Sequence, residues 1–486
     1  MFVNKNFLSL KESYLFTEVV SRTESYKKKN VGKEIINLGV GDVKKALPKV
    51  IVEAIKNAVD EMGDEKTFRG YSPETGYNFL KEEIIKNEYM NFGFDLDEIF
   101  ISDGIAADIG NILDLFDKNN VVGICDPVYP EYLDTNLMDG REIIFLDCVA
   151  ENNFCPEVES VKKKLDLIYI CNPNNPTGIG MNKDKVQRWI DYANENKSVI
   201  LYDGAYEKFI SHGNLNDNKN NIPHSVYELN GAKECAIEFR SFSKSVGFTG
   251  LRCGYTVVPK NLVREKINLN KLWTRRQCTK TNGVSYIVQR GAQAVFSLAG
   301  KKDCMENVRY YMENAKIARI KKAAGFTAKV LNVGKYLLIA VIVVSFIAGI
   351  GAMIIRDEAL AGSTVRMRIP ILFGNADEAR AGVTKWLNVK EPNVQAGLGA
   401  LEVTVIAAFM LALIVVLRKT FLEIVKSDTP FREEILRRIR ITGILLTLLV
   451  LRYSIANAVI VGLTAWCVYC IFDYGVELQK NEDETL

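Results

Sequence analysis

At 486 residues the chain is long enough for two or three domains and a large buried core. Its 62 Lys+Arg against 59 Asp+Glu leave a net charge of +3, which excludes the strong basic excess of a dedicated nucleic-acid binder. The ten cysteines are scattered, apart from Cys467 and Cys470, and neither of the two histidines, His212 and His224, lies near one; this excludes a zinc pattern and a disulfide framework and fits packed thiols in a reducing cytosol.

Residues 1–34 are polar and lysine-rich, without the long apolar run of a secretory signal. From about 30 to 315, short apolar runs alternate with amphipathic helices. The clearest helix has Pro48 in its first turn. Ile51, Ala54, Ile55, Ala58, Val59 and Met62 share one face, and Gly63 stops it. Four β-rich runs follow, Val121–Cys125, Leu167–Cys171, Val199–Tyr202 and Ala236–Phe239, each leading into a polar loop. Buried strands with polar residues at their C-terminal ends predict an α/β fold on a mostly parallel sheet with helices on both faces. The ligand then belongs at those strand ends.

The chain changes character near 318–335, where Lys316, Arg319, Lys321, Lys322, Lys329 and Lys335 precede the uncharged run Tyr336–Ile355, the length of one membrane span. Gly397–Leu417, interrupted only by Glu402, is a second span. Ile441–Phe472, apolar apart from Arg452, is too long for one upright span and short for two with a loop. It is a third span or, with a tight turn at Arg452, two spans at about 441–451 and 455–472, the reading we favour. Lys and Arg are denser before the first span and in 418–440 than in 356–396. This places both basic segments on the cytoplasmic side.

Four motifs carry chemistry. Ser241-Phe242-Ser243-Lys244, followed by Gly247, Gly250 and Arg252, combines an amine with hydroxyls and a guanidinium suited to a phosphate. Asp203-Gly204-Ala205-Tyr206 follows a strand directly, and an aspartate there can pair with a protonated pyridine nitrogen. Asn172-Pro173-Asn174-Asn175-Pro176-Thr177-Gly178 is a rigid turn able to present an amide. Ser102-Asp103-Gly104 opens a helix whose free N–H groups suit a phosphate. Each motif alone is also satisfied by ordinary turn or capping chemistry; their order and separation strengthen the combined signal.

In that order the motifs resemble the fold-type I pyridoxal 5'-phosphate aminotransferases. Finer segments are similar to the LL-diaminopimelate aminotransferase branch: Ser13-Tyr14-Leu15-Phe16, Gly70–Tyr77, Asp126–Tyr132, Gly247–Gly250, Asn282–Gly291 and Tyr310–Ala315. The resemblance implies pyridoxal phosphate as cofactor and Lys244 as the Schiff-base lysine that shuttles the α-proton. It implies Asp203 on the pyridine nitrogen, and Tyr206 and Asn175 on the ring oxygen. The phosphate goes to Ser241, Ser243, Arg252 and the backbone of Asp103, Gly104, Ile105 and Ala106. Tyr129 stacks on the ring, and Tyr71 reaches the phosphate of the partner in a homodimer. Gly41, Glu74, Tyr129, Asn175 and Asn282 contact substrate. The implied reaction is transamination between tetrahydrodipicolinate with glutamate and LL-diaminopimelate with 2-oxoglutarate, in lysine biosynthesis.

Ala106 and Thr281 depart from the family's usual lysine and aromatic. The likeness covers about residues 7–326 and stops before the small C-terminal domain that in this family supplies the arginine clamping the substrate α-carboxylate. Residues from about 330 instead resemble multi-span bacterial membrane proteins with a DUF2975 domain, through Asp428–Glu434 and the tail after Phe472. The expected layout is an N-terminal arm (1–34), a cofactor-binding large domain (35–317), a junction (318–335) and a transmembrane helical domain (336–486). It sits in the bacterial cell membrane with the large domain in the cytoplasm. Three readings stand at this point: an aminotransferase tethered to a membrane; an inactive cofactor-binding domain fused to a membrane protein of regulatory role; and two unrelated reading frames joined near residue 320 by recombination or misassembly.

Overall fold

A computed structural model describes residues 1–10, 15–32, 43–210, 221–354, 391–426, 432–451 and 455–484. Gly41, Ser13, Tyr14, His212, most of the 356–396 loop, Asp428–Phe431 and Arg452 lie outside the described residues. The chain divides into two compact units, Met1–Met312 and Glu313–Leu486, the division falling within the helix Leu298–Ile354.

The first unit is built on a seven-stranded sheet: β1 (Ile99–Ser102), β2 (Val121–Asp126), β3 (Glu142–Asp147), β4 (Leu167–Cys171), β5 (Val199–Asp203), β6 (Ala236–Ser241) and β7 (Gly254–Val257). Their spatial order is β1-β7-β6-β5-β4-β2-β3. Only β7 runs antiparallel to its neighbours. The four strands expected from sequence are present, with β2 and β5 each one residue longer and β6 two. The added strands β1, β3 and β7 are short or, in β3, largely exposed, so their apolar signal is weak.

The parallel strands β2, β4 and β5 and most of β6 are buried on both sides, as strands covered by helices must be. Alternation sorts their side chains onto two cores. Ile168, Ile170, Ile200 and Tyr202 join Trp189 on one face. Leu167, Tyr169, Cys171, Leu201, Ile237 and Phe239 join Tyr132 and Trp273 on the other.

The helix read from residue 48 onward spans Lys49–Gly63, with Pro48 just before it rather than inside it. Ile51 and Ala58 are fully buried, whereas Val59 is 50% exposed. At 100° per residue Val59 sits about 80° round from Ile51, at the margin of the apolar stripe. This helix packs closely on Tyr286–Ala294: a Cβ at Gly291 would lie 2.8 Å from Ile55 Cγ1.

The second unit holds most of Leu298–Ile354 together with the helices Pro392–Lys426, Glu433–Leu451 and Ile455–Glu484. Ala324, Ile424 and Ile435 form its small buried cluster. Small residues allow close helix approach, since a Cβ at Gly397 would lie 2.8 Å from the Gly349 carbonyl. Ser345 and Thr404 hydroxyls meet at 2.8 Å. Among the described residues two helices are long and apolar enough to cross a membrane, Leu298–Ile354 and Asn393–Lys426. Leu337, Val344, Ile347, Leu463 and Trp466 are each more than 60% exposed.

Candidate active site

The parallel strands β1, β2, β4, β5 and β6 end at one edge of the sheet, so the turns that follow them share that edge. Ser102–Gly104 follows β1, Asp126–Tyr129 follows β2, and Asn172–Gly178 follows β4. Asp203–Tyr206 follows β5 and Ser241–Lys244 follows β6. Because β7 is antiparallel, it begins at the same edge two residues after Arg252, and its Gly254 pairs with both Ser102 and Ser241. A Cβ at Gly254 would stand 2.9 Å from the Arg240 carbonyl and 3.0 Å from Ile105, so this junction has room only for glycine.

Asp203 is buried, its carboxylate accepting from the Tyr132 hydroxyl at 2.5 Å and the Ala205 N–H at 2.9 Å. Burial pushes the carboxyl above its ordinary range, opposed by those two neutral donors and by the positive charge of Lys244. The Lys244 ammonium lies 5.9 Å from the Tyr206 ring centroid. Burial raises the Tyr206 phenol, and the nearby Cys171 and Asp203 add to the shift. Tyr129 meets Tyr132 edge-on at 5.7 Å, and Tyr132 stacks on Tyr169 at 4.7 Å.

Arg252 adopts a positive φ of 60° and donates toward Ser243 Oγ at 3.4 Å and the Thr249 carbonyl at 3.3 Å. Its guanidinium lies against Gly104: a Cβ there would be 2.4 Å from Arg252 Nη2, and the glycine itself has φ 114°. Gly104 caps the helix Ile105–Asn111, so that helix, with Asp103, Ile105 and Ala106 the chain neighbours of its cap, begins beside that guanidinium. The Ser241 hydroxyl accepts from the Ser243 N–H at 3.0 Å.

In the β4 turn, Asn174 holds the loop by donating to the Pro127 carbonyl (3.2 Å) and Thr177 (3.0 Å), while Asn172 braces it on Met181 and Tyr202. Asn175 is half-buried at the turn's outer end. Tyr71, Glu74 and Asn282 are exposed. Their loops touch, since a Cβ at Gly283 would meet the Pro73 carbonyl at 2.5 Å.

Sequence reasoning gave no role to Tyr132, whose partner Asp203 is 71 residues away. It also passed over Asp108, which is fully buried and accepts from Thr256 at 2.6 Å; burial raises its carboxyl to about 7. Among the described residues no cluster of potential metal ligands occurs.

An amine, a phenol, a buried acid, and a guanidinium with hydroxyls beside a Cβ-free helix start therefore converge on one strand-end edge. This donor set matches pyridoxal phosphate group by group: amine to aldehyde, phenol to ring oxygen, acid to ring nitrogen, and the Gly104–Arg252 cradle to phosphate. The fold and the site define a pyridoxal-phosphate-dependent transferase of the α/β type.

Comparison with known proteins gives the family. Residues 33–335 match the model of the aminotransferase class I and II family, and the chain belongs to that family. It is 48% identical over 344 residues to an LL-diaminopimelate aminotransferase of Prochlorococcus marinus, covering 67% of this chain and 82% of the relative. A Parabacteroides distasonis protein of the same description is 47% identical over 334 residues, covering 65% and 80%. Among solved structures, L,L-diaminopimelate aminotransferase from Chlamydomonas reinhardtii superposes with a TM-score of 0.62 at 36% identity, over 66% of this chain and 80% of that one. Pyridoxal phosphate is the cofactor of this family.

Proposed function

We propose that the first unit is an LL-diaminopimelate aminotransferase, exchanging an amino group between LL-diaminopimelate with 2-oxoglutarate and tetrahydrodipicolinate with glutamate. The observation that carries this is the 48% identity to enzymes of that description, joined to the convergence of Lys244, Asp203 and Tyr206 at one edge.

Pyridoxal phosphate, when bound, supplies an electron sink for the charge left on the substrate Cα when its proton departs. The chain's own residues do the rest. Lys244 Nζ would take the proton from the substrate Cα and hold it for return. Asp203, kept in place by Tyr132 and the Ala205 N–H, would hold positive charge at the ring nitrogen. Tyr206 and Asn175 would hold the ring oxygen, and Tyr129 would stack on the ring. Ser241, Ser243, Arg252 and the Asp103–Ala106 backbone would anchor the phosphate. The exposed loops of Tyr71, Glu74 and Asn282 fit residues that act across a homodimer, Tyr71 on the partner's phosphate and the other two, with Gly41, on substrate.

The second unit reads as a multi-pass anchor in a bacterial cell membrane, of the DUF2975 kind, with the first unit in the cytoplasm. Its support is the pair of long apolar helices and the exposed Leu337, Val344, Ile347 and Trp466. A second reading, a domain that binds cofactor without turning over, draws on one fact: the likeness spans 82% of the relative and gives way to apolar helices.

Titration of the detergent-purified, cofactor-loaded protein with LL-diaminopimelate separates the two. Loss of the visible band as the amino group transfers is the expected result. A band that LL-diaminopimelate leaves unchanged would overturn turnover and favour the second reading.

A further inference from the structure

Opposite the face that carries Asp203, the same two strand ends bear a buried ionic network. By alternation Arg240 and Glu238 of β6 point to the face of Tyr202, away from Asp203 and Phe239. Arg240 is 4% exposed and Glu207 4%. Arg240 Nη2 meets Glu207 at 3.0 Å and Glu88 at 3.1 Å, and Nη1 donates to the His224 carbonyl at 2.5 Å. Lys208 bridges Glu207 at 2.9 Å and Glu88 at 2.8 Å, and His224 Nδ1 stands 3.2 Å from Glu207. Burial raises the Glu207 carboxyl, but Arg240, His224 and Lys208 overcome it and hold the group at about 2.

The position of the pair in the chain gives it a consequence for the site. Glu207 directly follows Tyr206, and Arg240 directly precedes the Ser241–Lys244 loop. The ladder between β5 and β6 ends at Asp203 opposite Phe239, with one last bond from the Gly204 N–H to the Phe239 carbonyl at 2.9 Å. Beyond it the Arg240–Glu207 ion pair ties the two turns together. Gly204 leaves room for it, since a Cβ there would lie 3.1 Å from Arg240 Cδ. A planar guanidinium between two carboxylates has a fixed geometry that a single point charge lacks.

We infer that the buried Arg240–Glu207 pair is a positioning clamp: it fixes the Tyr206 turn against the Lys244 loop and so sets the reactivity of the Lys244 amine. The inference rests on the reading of Lys244 as the reacting amine. Arg240 and Glu207 act through their neighbours, because they sit on the other face of the sheet.

The test uses the full chain in detergent, free of cofactor, labelled with acetic anhydride across a pH series. Lys244 modification is read by peptide mass spectrometry. Glu207→Gln and Arg240→Lys are expected to change the Lys244 rate at fixed pH by about threefold or more, equivalent to half a pH unit in its midpoint. Glu207→Asp, which keeps the charge, should return part of the way. Asn270→Ala is the control: it removes buried donations to the Val258 and Asp97 carbonyls at 2.8 and 3.0 Å, and should lower stability without moving Lys244. If the Glu207 and Arg240 variants lose stability yet label as the parent does, or if Asn270→Ala moves Lys244 equally, the clamp is overturned. The visible band on adding pyridoxal phosphate is recorded in parallel. A parent protein that forms none would refute the proposed function, while the labelling series still decides the clamp.

Discussion

Two buried carboxylates at the β5–β6 end, Asp203 on one face of the sheet and Glu207 on the other, are held in opposite ways. On one, Asp203 sits among Tyr132, Leu201 and Phe239, hydrogen-bonded by neutral donors, and burial raises its carboxyl. On the other, Glu207 is as deeply buried but faces Arg240 and Lys208 within 3.0 Å, and its carboxyl is held low. Removing one member of a buried charge pair costs the fold, because the partner is left uncompensated, whereas a buried acid served mainly by dipoles gains from a cation that arrives later, such as a protonated ring nitrogen. Substitutions on the two faces should therefore part function from stability.

The largest effect belongs to Lys244→Ala. Loss of the group that moves the α-proton should cut the rate by about 10²–10⁴-fold or more and remove the visible band, with little change in thermal midpoint. Steady-state kinetics and a melting curve together check it. Asp203→Asn should cost about 10²–10³-fold in rate, because the amide cannot answer charge at the ring nitrogen. The cofactor-free protein should melt no lower than the parent at pH 8, since a neutral group replaces a destabilised acid. A lower melt for this variant would break the contrast between the faces. Glu207→Gln should do the reverse, costing about 3 kcal/mol of stability by stripping one carboxylate from a buried guanidinium, as read by denaturant unfolding.

Two smaller effects sharpen the comparison. Tyr132→Phe removes one donor to Asp203 and should weaken cofactor binding by about 1.5–3 kcal/mol, roughly 10- to 100-fold in Kd, measured by titrating the visible band. Asp108 gives a pH signature. Its folded carboxyl, at about 7, lies above the ordinary 3.8, so the folded protein keeps a proton that the unfolded chain releases. Its contribution to stability therefore falls as pH rises from about 4 to about 7. Asp108→Asn should flatten that fall, melting above the parent at pH 8 and not at pH 5.

Much of the candidate site is legible in the sequence because each motif stands where an apolar run ends. Leu167–Cys171 leads into the asparagine turn, and Val199–Tyr202 into Asp203. The strands that escaped have physical reasons for doing so. β3 exposes Glu142, Phe145 and Asp147, and β1 and β7 have four residues each. The antiparallel sense of β7 leaves no mark in composition. Tyr132 and Arg240 were equally hidden, because their roles depend on partners 71 and 33 residues away, Asp203 and Glu207. A buried Arg–Glu pair reads locally as two polar residues in or beside a strand. In the second unit the long apolar runs were plain from sequence, since uncharged length alone carries that signal.

The most direct test of the central claim is where the cofactor attaches. Protein incubated with pyridoxal phosphate, reduced with borohydride and digested should carry the cofactor's mass on the peptide containing Lys244 and on no other lysine. A mass found elsewhere, or none, would contradict the assignment of this strand-end edge as the active site.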